Sequence, residues 1–125
     1  MADNMVVFPA PGEKDRRLLA FGSRTLAGYE WPYFAISGAM DGPTLGLIAG
    51  IHSAEYPPID AVMPFCRALD PTTLRGRIVA VPVVNLPAFW ERTPSSARTM
   101  ARTPRASFLK CTRTELLLSL GGMLA

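Results

Sequence analysis

The sequence predicts an α/β fold built on a βαβ unit over residues 44–84, and three observations carry that reading. Thr44-Leu-Gly-Leu-Ile-Ala-Gly50 is a short, uninterrupted apolar run, the pattern of a strand buried on both faces. Over residues 58–69, Ile59, Val62, Met63, Cys66 and Leu69 recur at helical spacing and give one apolar face. Arg77-Ile-Val-Ala-Val-Pro-Val-Val84 is a second buried-type run. Two such strands joined by a helix call for a right-handed crossover and a parallel pair.

The flanking elements follow in order. Residues 1–15 are polar, contain Pro9, Pro11 and Gly12, and read as a loose lead-in. Residues 28–37 mix aromatic and β-branched types (Tyr29, Trp31, Tyr33, Phe34, Ile36) and suit a strand, with Pro32 favouring a sheet edge. Gly38 to Pro43, around Asp41-Gly42, is a turn cluster. Gly46 and Gly50 inside the first apolar run point to something packed against the backbone. Pro57 and Pro58 suit the first turn of the helix, where a missing N–H does no harm. Pro64 does not: an interior proline removes a hydrogen bond and costs about 3 kcal/mol, so a kink or a defect is expected there. Asp70-Pro71 ends the helix, and Pro82 limits pairing late in the second run.

Composition bounds the function classes. A length of 125 residues allows one domain, and 49% apolar against 18% charged residues excludes a disordered tail as a description of the whole. The net charge of +3 and pI near 9.2 raise nucleic-acid binding, but the basic excess is local. Residues 1–94 carry 8 Lys/Arg against 9 Asp/Glu, and residues 95–125 carry 5 against 1. The charge therefore divides the chain into a near-neutral part at 1–94, which opens with a lead-in at 1–23, and a basic tail at 95–125. Two cysteines, Cys66 and Cys111, are too few for a disulfide scaffold and favour a reducing compartment. The charged residues Glu13 to Arg17 do not suit a signal peptide, and no apolar run approaches the roughly 20 residues that span a bilayer. A cytoplasmic protein without membrane or nucleic-acid partners is the expectation.

Chemistry concentrates in Gly50-Ile-His52-Ser-Ala-Glu55, which follows a buried strand and precedes a helix. The carboxyl end of a strand is where open α/β sheets build their sites. If a helical turn starts in this loop, His52 and Glu55 at i, i+3 point to one side. An imidazole and a carboxylate there supply two legs of a His₂Glu zinc site. A capping or solvated role for the pair is the competing explanation, and with one His in the chain a complete His₂Glu set is not available from a single copy.

The run from Asp41 through His52 and Glu55 to Asp60, continued by Leu74-Arg-Gly-Arg through Asn85-Leu-Pro-Ala-Phe-Trp-Glu-Arg-Thr-Pro94, resembles the succinylglutamate desuccinylase/aspartoacylase family of zinc-dependent deacylases, relatives of the zinc carboxypeptidases. The likeness covers residues 24–94. It implies the amino-terminal part of a zinc-carboxypeptidase-like three-layer fold with a mixed sheet, partial and truncated. It implies that His52 and Glu55 match the family's H-x-x-E zinc ligands, that Arg92 lies where members place an arginine beside the substrate, and that Asn85 is structural. It also implies zinc as cofactor, activating water to cleave the amide of a small acylated amino acid, with a downstream Glu as general base.

The sequence departs from the family in three ways. Ser53 stands where a Gly usually follows the ligand His, Pro64 where a helix former is expected, and after Pro94 the Asp-Gly-Lys-Asn stretch, the Asn-Arg pair, the second His and the catalytic Glu are missing. Read one base earlier, codons for Ser95 to Arg98 permit Phe-Val-Cys-Pro. The Met100–Ala101 junction then forces a Gly at the position where the family needs one. The expectation is that residues from about Ser95 are translated out of frame, leaving a chain without the third zinc ligand and the general base. Two other readings stay open: a non-catalytic remnant or interaction module of the same fold, and a nucleic-acid binder using Arg98, Arg102, Arg105, Lys110 and Arg113 of the tail. The Leu116–Leu120 stretch reads as a short helical or disordered end.

Overall fold

The computed structural model describes residues 5–22, 24–52 and 54–90. Four strands, β1 (Glu13–Leu19), β2 (Trp31–Ser37), β3 (Met40–Ile48) and β4 (Arg75–Val81), form one sheet in the order β1-β2-β4-β3. Helix α1 (Tyr56–Ala68) connects β3 to β4, and a short helix α2 (Leu86–Trp90) follows β4. β1 runs antiparallel to β2, β2 antiparallel to β4, and β3 parallel to β4, so the sheet is mixed and the β3-α1-β4 unit is the expected βαβ.

The two faces of the sheet bury different sets. Phe34, Ile36, Ile78 and Ala80 face α1, where Cys66 is fully buried and Val62 and Met63 pack alongside. Tyr33, Ala35, Val79 and Val81 join Val6, Leu26, Trp31 and Leu86 in a separate cluster that reaches Ile59. The buried Trp31 indole N–H donates to the Val84 carbonyl at 2.9 Å, and the Tyr33 hydroxyl accepts from the Val7 N–H at 3.1 Å, tying chain segments together across the core.

Helix α1 spans 56–68 rather than 58–69 and runs through Pro64 as one element, with Pro57 and Pro58 in its first turn. Burying the Ile59 side chain returns roughly 2 kcal/mol against the proline's cost. At the far end, the Lys14 ammonium donates to the carbonyls of Cys66, Arg67 and Leu69, satisfying acceptors that a helix end leaves open. Burial pushes the Cys66 thiol up, with Lys14 pulling the other way. Asp70 then starts a 3₁₀ turn at Pro71–Thr73, its carboxylate accepting from the Thr72 N–H and hydroxyl, bonds that hold the carboxyl below the usual range.

Five sequence expectations change. The lead-in is not loose throughout: Glu13–Leu19 is β1, whose charged residues lie mostly exposed while Leu19 is fully buried. Pro32 is not on an edge strand, because β2 sits between β1 and β4; the proline is tolerated because pairing with β4 begins only at Phe34, so Pro32 is flanked by β1 alone. The Gly38–Pro43 cluster is a link of two residues, Gly38 and Ala39, followed by the irregular start of β3, where the register shifts between Met40 and Thr44. β3 is not buried on both faces. It is an edge of the sheet, with Leu45 52% and Ile48 46% exposed, since no strand flanks it among the described residues. β4 runs Arg75–Val81 rather than 77–84, ending directly before Pro82, the proline expected to limit its pairing. Arg92, Cys111 and the 95–125 tail lie outside the described residues. Among those described, no helix is long and apolar enough to cross a membrane.

β4 occupies the space between β2 and β3, although those two are separated by only Gly38 and Ala39. The chain passes around the first residues of β4, where a Cβ on Gly76 (φ +91°) would lie 2.1 Å from the Pro43 oxygen and one on Gly38 2.3 Å from the Leu74 oxygen. Both contacts are with backbone, which has no rotamer to yield. Gly76→Ala therefore should cost more than about 2 kcal/mol, combining strained φ with overlap. Gly22→Ala, which meets nothing within 4 Å, should be near neutral. Thermal unfolding followed by circular dichroism compares the two, and equal melting temperatures would contradict the packing described.

Candidate functional site

The site grows out of the carboxyl end of β3. Past Ile48 the chain stays stitched to its neighbour: Ala49 N–H donates to Val81 O at 3.1 Å, Val84 N–H to Ala49 O at 2.9 Å and Asn85 N–H to Gly50 O at 3.0 Å. Gly50 has φ +66°, and a Cβ there would stand 3.0 Å from the Val83 Cα and 3.2 Å from the Ile59 Cδ1. This glycine turns the chain out of the sheet while both neighbouring elements press against it.

His52 and Glu55 follow on a tight turn closed by the Glu55 N–H donating to the His52 carbonyl at 3.0 Å. The three-residue spacing is therefore that of a turn, not of a helix. Prolines at 57 and 58 have no N–H to bond carbonyls four residues back, so α1 cannot extend into the loop. Glu55 occupies the N-cap position with φ −88° and ψ 79°, yet its side chain caps nothing. Both side chains are exposed. The capping role considered from sequence is thus not the one the carboxylate fills, and it stays open to a ligand beside the favourable amino end of α1.

His52 and Glu55 both lie on the turn that follows β3, but the helical start on which their pointing to one side depended is absent, since α1 begins at Tyr56; Arg92 lies outside the described residues, and so does Ser53. Sequence reasoning treated Asn85 as structural, and its side chain indeed bonds within the loop, Nδ2 donating to Ile51 O at 3.4 Å. An imidazole and a carboxylate are donor types that zinc takes, and both are accessible, so they fit as two members of a ligand set. Among the described residues no third His, Cys, Asp or Glu completes that set. An apolar groove of about 680 Å³ adjoins this turn without including any residue of the 50–55 loop: Ile59 and Val83, which press against Gly50, line it together with Leu18, Met63, Phe89 and Trp90.

A mixed sheet with a parallel βαβ unit defines an α/β protein, and the His52–Glu55 turn lies at the carboxyl end of β3, the end where open α/β sheets build their sites. The profile of the succinylglutamate desuccinylase/aspartoacylase catalytic domain matches residues 41–116, more than half of the chain, and the chain belongs to that family. Among solved structures it is similar to a succinylglutamate desuccinylase/aspartoacylase from Rhodobacter sphaeroides, with 26% identity, a TM-score of 0.55, and coverage of 70% of this chain and 28% of that one. It is also similar in fold to the ectoine utilization protein EutE of Ruegeria pomeroyi, with 21% identity, TM-score 0.57, and coverage of 74% and 29%. An aspartoacylase family protein of Mesorhizobium loti compares at 21% identity, TM-score 0.57, and coverage of 78% and 31%. The chain thus spans under a third of the length of these structures. None of the curated proteins matches it. Membership places the chain in a hydrolase family.

Gly50→Ala tests the geometry of the turn. The substitution should lower stability by about 1–3 kcal/mol through its left-handed φ and move the imidazole signals of His52, the chain's single histidine, in the NMR spectrum. Unmoved His52 signals in a folded variant would show that Gly50 does not set the position of the turn.

Proposed function

We propose that His52 and Glu55 are two zinc ligands of a deacylase site of this family, whose substrate is a small acylated amino acid, and that this chain alone does not complete the site. The observation that carries the proposal is the turn itself: an exposed imidazole and an uncommitted carboxylate, closed by one backbone bond, at the end of a parallel strand in a chain of this family. His52 and Glu55 would hold a zinc ion whose chemistry, once the set is complete, would be that of a Lewis acid toward an amide carbonyl and water. This chain's part is to present the two donors from a turn whose approach, Ala49 to Ile51, is bonded to Val81, Val84 and Asn85. The third ligand and the general base are not supplied by the described residues. A two-ligand site holds zinc weakly, so purified protein should carry well under one zinc per chain after dialysis. It should hydrolyse N-acetyl- and N-succinyl-amino acids no faster than buffer. His52→Ala or Glu55→Gln should abolish the residual zinc binding seen by titration. Stoichiometric zinc together with amide hydrolysis in the purified chain would overturn the incomplete-site reading.

We also propose that the chain leaves the family's reading frame near Ser95. The matched span takes in residues 95–116, and its likeness in the translated frame counts against a shift that early. Supporting the shift, the same residues hold neither a second His nor an Asp-Gly-Lys-Asn stretch, and the alternative frame forces a Gly at the Met100–Ala101 junction. Sequencing the DNA past the codon for Pro94 decides the matter. A long open alternative frame with a downstream His codon is the expected result, and early stop codons in that frame refute it.

A further inference from the structure

We infer that Asn85 is a positioning residue for the His52–Glu55 turn, an inference that rests on the ligand role proposed above for His52. Asn85 is one of two buried polar residues among those described, at 6% exposure. A buried amide is costly unless its hydrogen bonds are used. Asn85 uses them on the loop that carries the site. Its backbone N–H donates to the Gly50 carbonyl at 3.0 Å, and its side-chain Nδ2 donates to the next carbonyl, that of Ile51, at 3.4 Å. One residue thus grips two successive carbonyls.

The second of these bonds reaches the site most directly. The Ile51 carbonyl and the His52 N–H belong to one planar peptide unit. Fixing that oxygen fixes the plane from which the His52 Cα departs, and with it the direction available to the imidazole. The turn has few other restraints. Ile51, His52 and Glu55 are all exposed, so packing does not hold them. Among the described residues, no other hydrogen bond ties residues 51, 52 or 54 to the sheet, since the Glu55 N–H to His52 O bond is internal to the turn. Asn85 in turn has a fixed backbone: its carbonyl accepts from the Phe89 N–H at 3.1 Å as the first bond of α2, and Val84 before it holds the Trp31 indole. Rigidity passes from the core through Asn85 to the peptide before His52.

The test uses the full chain and the Asn85→Leu variant, which keeps the side chain's size and removes its donor. The Trp31 indole signal reports whether the core is intact. Two measurements then follow: zinc chloride titration read at the His52 imidazole signals, and hydrogen exchange of the Glu55 amide. Asn85→Leu should weaken zinc at His52 by about tenfold, the usual cost of losing a group that orients a ligand. It should also speed Glu55 exchange with Val79 and Ala80 unchanged. If both readouts match the wild type while the indole signal is unmoved, the inference is overturned. If wild-type His52 does not respond to zinc but the variant's Glu55 amide exchanges faster, the ligand reading fails and the positioning role stands. Should Asn85→Leu lose the indole signal, Asn85→Ser, which is smaller and too short to reach Ile51, carries the same comparison.

Discussion

The insertion of β4 between β2 and β3 is the constraint on which the rest of this structure depends. It creates the parallel β3–β4 pair, and so the need for α1 as a crossover. It also places Val79 and Val81 on one face and Ile78 and Ala80 on the other at the centre of the two buried clusters. The insertion is possible because the chain can pass the first residues of β4 at backbone contact distance. A Cβ at Gly38, Gly42 or Gly76 would meet backbone or side-chain atoms within 2.7 Å at each position. Three glycines from three different segments converge on one crossing point, and any side chain there would push β3 away from its partner.

Much of this was legible in the sequence, for physical reasons that also explain the misses. The strands that became β3 and β4 hold the uncharged apolar stretches 44–48 and 78–81, and α1 has helical periodicity bounded by prolines, so type and order were readable. Periodicity reports what a strand could bury, not which neighbours are there to bury it, and β3 was therefore read as interior although Leu45 and Ile48 are exposed. β1 was missed because Glu-Lys-Asp-Arg-Arg looks like solvated chain; only Leu19, at its end, is fully buried. α2, with five residues, is too short to show a period. The candidate pair stood out because strand, loop and helix bracket His52 and Glu55. The turn that joins them was not, because it is closed by backbone atoms common to every residue.

The site and the groove divide the surface between two kinds of construction. The residues leading into the turn, Ala49 to Ile51, are held by directional hydrogen bonds with Val81, Val84 and Asn85. The groove beside α1 is set by apolar side chains, with Trp90 69% exposed at its margin and Tyr56 and Phe89 in edge-to-face contact at 6.4 Å nearby. The first suits a position that must be held in place, the second a surface shaped by contact area.

The two-residue link between β2 and β3 has a consequence for the order in which the sheet assembles. Two residues is the length of a tight hairpin loop, so β2 and β3 have an immediate partner in each other as soon as both are made. The native sheet denies them that pairing. β4, whose Ile78 pairs with Ile36 some forty residues earlier, must enter between them after α1 has been traversed. A local hairpin forms in microseconds, whereas contacts across such a separation must first meet the entropy of closing the intervening chain. Pairing β2 with β4 thus carries a loop-closure cost that a β2–β3 hairpin would not, and the native order is the one in which Ile78, Val79, Ala80 and Val81 are buried at the centre of the sheet.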